Sequence, residues 1–93
     1  MIFDWDEKKD GQNRLKHKIG FESACEFEWD TAVIIADTRH RYGESRWAAF
    51  GFLKGRLHSI VFTRRENKIR IISLRKANAR ERKRYESVKE QDT

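Results

Sequence analysis

The sequence predicts an α+β fold: an antiparallel β-sheet meander with two N-terminal helices and one C-terminal helix. Three observations predict it. Segments rich in β-branched and aromatic residues, Ser45 to Leu53, Arg56 to Arg64 and Lys68 to Arg75, are separated by the two-residue turn signals Lys54-Gly55 and Glu66-Asn67. Apolar residues before them recur at helical spacing. After the last strand, Asn78 stands three residues ahead of Glu81, a capping-box pattern that opens a dense basic helix. At 93 residues, the chain is read as one domain spanning 1–93.

In chain order, Ile2 to Trp5 is a short apolar strand. Asp6 caps a helix that runs to about Lys16, with Gly11 as its weak point. Gly20 precedes a second, shorter helix. Phe21, Ala24, Cys25 and Trp29 fall at i, i+3, i+4 and i+8, one helical face, so Cys25 is read as packing. Thr31 to Ala36 is a strand, and Asp37 to Glu44 a polar connection hinged at Gly43. The three long strands follow, then the basic helix, with Glu90 to Thr93 expected to fray.

If both turns are two-residue loops, Trp47, Phe62 and Ile71 form one row on one sheet face. Ala49, Ile60 and Ser73 form the next, then Gly51, His58 and Arg75. The opposite face carries Arg46, Thr63 and Arg70, beside Ala48, Val61 and Ile72. A one-residue slip would exchange the faces.

The formal net charge is +6, and it is unevenly placed. Arg64 to Lys89 holds eleven Lys and Arg against three Glu, so the rest of the chain is slightly acidic. Such a surface suggests a phosphate-rich partner. Three Trp and six Phe favour a packed core over disorder. A single Cys excludes an internal disulfide and fits a reducing compartment. With neither a signal peptide nor a membrane-length apolar run visible, a soluble cytoplasmic protein with no membrane association is expected.

FDWDEKK near the start, LKH followed by IGFESA, the DTRHRYGESRW stretch and the closing RIISLRKANARERKRYE resemble, in this order, the BrnT toxins of bacterial type II toxin–antitoxin modules. The resemblance covers nearly the whole chain, and the closing stretch is its most specific part. It implies a RelE-like fold, ribonuclease activity that halts translation, and a BrnA-type ribbon-helix-helix antitoxin, two toxins with two antitoxins, so that DNA is reached only through the antitoxin. The family usually has Gly after the LysHis pair, where this chain has Lys18. It often has Ala and Thr where this chain has Leu74 and Asn78.

RNA cleavage without a metal needs a base for the 2′-OH, a cation for the charge growing on the phosphate, and an acid for the leaving 5′-oxygen. Arg suits the middle role, because its planar fork meets phosphate bidentately. Arg64 and Arg75 each end a strand and are candidates for it; a solvated strand end or an ion pair would explain them equally. Glu44 is the best-placed carboxylate for base work, unless it only pairs with an Arg. His17, at the end of the first helix, could be acid, base or phosphate ligand, or simply a C-cap. Arg46 and Arg70 are candidate RNA contacts on one sheet face. Arg80, Arg82, Lys83 and Arg84 supply a basic helix for RNA, with Tyr85 as a stacking or packing residue. Lys8, beside Lys9, is a further candidate RNA contact on a solvated helix face. No metal site and no cofactor are expected: the three His are scattered, and no HExxH or paired Cys occurs.

Composition alone would equally suit a non-catalytic basic nucleic-acid- or ribosome-binding domain, or an adaptor for an acidic protein. The resemblance favours the ribonuclease.

Overall fold

The computed structural model describes residues 1–39, 41 and 43–91. His40 and Tyr42 of the polar connection, and Asp92 and Thr93 of the tail, lie outside the described residues. Five strands form one sheet: β1 (Ile2–Trp5), β2 (Val33–Ala36), β3 (Trp47–Leu53), β4 (Arg56–Arg65) and β5 (Lys68–Lys76). Their order across the sheet is β1-β5-β4-β3-β2. Two helices complete it, α1 (Glu7–His17) and α2 (Ala79–Gln91).

The sheet is mixed, which corrects the expected antiparallel meander. β2 to β5 do run antiparallel, but β1 pairs parallel with β5, Phe3 opposite Ile69 and Trp5 opposite Ile71. Neighbouring strands of a meander are fixed by short turns, whereas β1 and β5 are joined by the whole intervening chain. Nothing in local periodicity encodes such a pairing.

The second N-terminal helix is also corrected. Phe21–Cys25 is a five-residue 3₁₀ turn, and Trp29–Thr31 another. A 3₁₀ turn has three residues per turn, so Phe21 and Ala24 stay on one face and Cys25 rotates off it. Phe21 and Ala24 are accordingly buried, while Cys25 is exposed rather than packed.

The core lies on one sheet face, under these turns. Phe21, Ala24, Phe27, Ala49, Leu53, Ile60, Phe62, Ile71 and Leu74 form its centre. Trp29 stacks on Phe3 and meets Phe27 and Phe62 edge-on, and its indole N–H donates to the Ala24 carbonyl at 3.0 Å. Gly51 of β3 makes room for Phe27: a Cβ there would sit 2.7 Å from the ring. The β3–β4 turn places Lys54 at φ 51° and Gly55 at φ 78°, the two positive angles of a type I′ turn.

Trp47, Phe62 and Ile71 share a row, as do Thr63 and Arg70 on the other face. Beyond Ile71 the expected register fails. A bulge opposite Val61/Phe62 inserts Ile72 as an extra residue, so Val61 faces Ser73, Ile60 faces Leu74, Ser59 faces Arg75 and His58 faces Lys76. An unbulged strand would have put Ser73 and Arg75 on the core face. The bulge puts the fully buried Leu74 there and turns Arg75 to the opposite face.

Beyond the end of β1, α1 covers the β5 edge. Asn13, itself buried, accepts the Leu74 N–H at 3.2 Å and donates to the Leu74 carbonyl at 2.8 Å and the Ile19 carbonyl at 2.9 Å. A side chain thus stands in for the missing strand partner. Asp6 caps α1 by accepting from the Lys8 and Lys9 N–H groups. Lys18 ends it in the left-handed region at φ 62°, its N–H donating to the Arg14 carbonyl. That is the conformation in which helices usually place Gly.

At α2, Asn78 and Glu81 form a reciprocal capping box at 2.8 and 3.0 Å. No residue of α2 is buried. Its body is tied down through Tyr85, which meets Phe52 edge-on at 5.7 Å and reaches the Thr31 carbonyl at 3.4 Å.

Candidate functional site

Strand alternation sorts the polar residues. Thr63 and Arg65 of β4 point to the sheet face away from the core, and Arg70 of β5, opposite Thr63, shares that face. The Thr63 hydroxyl donates to the Ser45 carbonyl at 2.6 Å, and the Asp37 N–H to the Arg46 carbonyl at 2.8 Å. These two bonds pin the segment just before β3, which brings Glu44 and Arg46 over the same rows.

The result is a compact cationic cluster. Glu44 accepts from Arg46 Nε at 3.3 Å and from Arg65 Nη2 at 3.2 Å. Arg70 Nη1 lies 2.9 Å from Asp4 Oδ2 of β1. Lys9 and Asp6 close the side from the first turn of α1, around a cavity of about 230 Å³ with Ile71 and Ile72 in its wall. Burial pushes the Glu44 carboxyl up, but the hydrogen bonds and charges of Arg65 and Arg46 outweigh it and hold the group below its usual range. Glu44 is therefore ionised at neutral pH and fully engaged. Arg46 is the least accessible of these cations, its side chain 19% exposed.

The same face has a second polar end, about 13 Å away, four residues along β4 from Thr63 to Ser59. Arg75 donates both terminal nitrogens to Glu81, at 2.7 and 2.8 Å, clamping β5 to α2. Bidentate pairing holds Glu81 below its usual carboxylate range despite partial burial, with the Asn78 N–H adding to the effect. Asp37, buried after β2, takes a similar fork from Arg39 at 2.8 and 3.0 Å. Between this end and the cluster runs an apolar floor of Val33, Ile35, Ala48, Phe50 and Val61. Arg80, Arg84, Tyr85 and Val88 of α2 form its wall, around a groove of about 520 Å³.

The structure thus brings together Glu44, Arg46 and Arg70 of the residues singled out in the sequence. Arg64 has the opposite parity to Arg65 and points to the other face of β4, where it is exposed. His17 sits half-buried at the end of α1, and burial, with Lys16 and Arg75 nearby, lowers its pKa and favours the neutral imidazole. Arg80 and Arg84 line the groove, Arg82 turns back to the Ala77 carbonyl at 3.2 Å, and Lys83 is exposed. Lys8 is exposed on α1, and its neighbour Lys9 faces the cavity instead.

Lys9, Thr63 and Arg65 were not singled out. Arg65 was legible: it follows Thr63 by two residues and so shares the Arg46–Thr63–Arg70 face. Lys9 was not, because the phase of α1 against the sheet has no local signal. Among the described residues, no group of three His, Cys, Asp or Glu is placed to hold a metal ion. No helix among them is long and apolar enough to cross a membrane.

Residues 5–81 match the family model described as the ribonuclease toxin BrnT of type II toxin–antitoxin systems. The fold is similar to that of the Brucella abortus ribonuclease toxin BrnT, known from a 1.1 Å crystal structure. The TM-score is 0.67 at 22% identity, over 84% of this chain and 99% of that one. No curated protein sequence matches the chain. With the family model spanning most of its length, the chain belongs to the BrnT family of ribonuclease toxins of type II toxin–antitoxin systems.

Proposed function

We propose that the chain is a metal-independent endoribonuclease whose reaction centre is the cluster around Glu44. The observation that carries this is the clamp of Glu44 between Arg46 and Arg65, with Arg70 and Lys9 facing the same cavity. A scissile phosphodiester has the charge and geometry to take the two guanidinium forks away from Glu44. Loss of those bonds raises the basicity of Glu44 as substrate arrives. The carboxylate then accepts the 2′-OH proton, and the 2′-oxygen attacks phosphorus. The bond to the 5′-oxygen breaks, and that oxygen takes its proton from the Lys9 ammonium. The products are a 2′,3′-cyclic phosphate and a 5′-OH. The arginines stay on the phosphate, where negative charge grows.

Lys8, Arg80, Arg82, Lys83, Arg84 and Tyr85 bind flanking RNA in this reading. Arg75, with its neighbour His17, holds the strand at the far end of the face, and Arg64 holds it at the hairpin. Cleavage of cellular RNA in the cytoplasm inhibits translation. Neutralisation falls to a BrnA-type ribbon-helix-helix antitoxin encoded beside the toxin, two copies of each per complex, and only the antitoxin touches DNA.

A binding-only reading gains support from the same clamp, since an engaged, acidified Glu44 is a weak base in the free protein. One assay separates the two. Purified protein with single-stranded RNA in EDTA is expected to yield cyclic or 3′-phosphate ends. RNA that stays intact while bound supports the binding domain. Activity restored only by Mg²⁺, or 5′-phosphate ends, would overturn the metal-independent route.

A further inference from the structure

α2 lies over the sheet without burying any of its own residues. Beneath it, Val33, Ile35 and Phe50 remain only half-buried on a groove of about 520 Å³. A helix normally fills the sheet face it crosses, and here the space is left open. The lip of this groove is cationic. Arg39, Arg75, Arg80 and Arg84 line it, and its two acids, Asp37 and Glu81, are already forked by Arg39 and Arg75.

The arginine lip can hold the phosphates of flanking RNA in the free toxin, but the apolar floor beneath it is matched by a protein segment with one apolar face and acidic flanks, which would compete with that RNA for the lip. The partner of a type II toxin is a protein. We propose that this groove, between α2 and the β2–β4 face, is where an acidic amphipathic segment of the antitoxin docks. The proposal rests on the functional reading above. The groove lies on the same sheet face as the Glu44 cluster, Val61 of its floor standing two residues from Thr63 of the cavity. A segment that fills it and runs on past Val61 therefore bars RNA from Arg46, Arg65 and Arg70. Apolar anchors supply the affinity and the arginine lip orients the segment.

The test uses the full chain and the antitoxin encoded beside it, with binding measured by calorimetry and RNA cleavage assayed separately. Ile35→Glu and Val88→Glu place a carboxylate on the floor and on the helix wall of the groove. Each is expected to weaken antitoxin binding by at least about thirtyfold, as for a charge set into a desolvated interface centre. Cleavage by the free toxin should stay at the parent level. Ile34→Glu, on the other face of the same strand, is expected to bind as the parent does. Should a glutamate variant unfold, methyl NMR of the parent serves instead: Val33, Ile35, Val61 and Val88 must shift on antitoxin addition. Parent-like binding by both folded glutamate variants, loss only in Ile34→Glu, or unmoved groove methyls would overturn the proposal. Loss of RNA binding with antitoxin binding intact would assign the groove to RNA and also overturn it. If the parent never cleaves RNA but Ile35→Glu still loses the antitoxin, the ribonuclease reading fails while the docking site stands.

Discussion

Asn13 and Leu74, 61 residues apart in sequence, exchange two hydrogen bonds in the way that two strands would. The Asn13 amide can do this because it donates and accepts at once. Asn13→Asp keeps the shape and removes the donors, leaving the Leu74 and Ile19 carbonyls facing a carboxylate. We predict a loss of about 2–4 kcal/mol, the cost of unsatisfied buried polar groups. Urea melts of the two proteins check this; equal midpoints would show that the clip contributes nothing.

Lys18 holds a left-handed conformation that costs a side chain energy and costs Gly little. Lys18→Gly should therefore stabilise the protein by about 0.5–1 kcal/mol. A melting temperature that falls instead would mean that the Lys18 side chain contributes more than its backbone costs.

Glu81 accepts both the Arg75 fork and the Asn78 N–H, and its folded pKa lies below the ordinary 4.5. Because the folded pKa is depressed, the contribution is fully present above pH 4.5 and is lost as pH falls through the folded value. Glu81→Gln should cost about 1–2 kcal/mol at pH 7. The gap between parent and variant should close in acid. A gap that does not narrow at all as pH falls below 4.5 would place the effect in packing rather than in charge.

Arg64 and Arg65 are adjacent and equally charged, yet only Arg65 faces Glu44. If the cluster is the reaction centre, Arg65→Ala should slow RNA cleavage roughly ten- to a hundredfold, the worth of a charge-assisted bond made in the transition state. Arg65→Lys should recover part of that. Arg64→Ala should change RNA affinity and its salt dependence more than the single-turnover rate. Single-turnover rates that reverse this order would return the phosphate role to Arg64.

The sequence carried the elements whose signals are local. β1, α1, the β3–β4 hairpin and the Asn78 capping box stand where turn and cap chemistry placed them. The features it did not carry depend on distant surfaces. The parallel β1–β5 pair has no turn to announce it. The Ile72 bulge appears only when Leu74 must enter a core that Phe62 and Ile60 define. Phe21 and Ala24 fit a 3₁₀ turn as well as a helix, and only the exposed Cys25 tells the two apart. For the candidate site, parity along β4 already placed Arg65 with Arg46 and Arg70, whereas Lys9 required the docking of α1.

The strand that completes the sheet is the last of the five to be made. β5 sits between β1 and β4, so a nascent chain emerging from the ribosome lacks the strand that joins β1 to the rest of the sheet until Lys76 has been added. Until then β1 has no neighbour, Asn13 has no edge to clip, and Asp4 has no Arg70 to meet. Long-range closure of this kind is slow compared with local folding. The Arg70 side of the cluster therefore forms only once β5 has been made, after every other strand of the sheet.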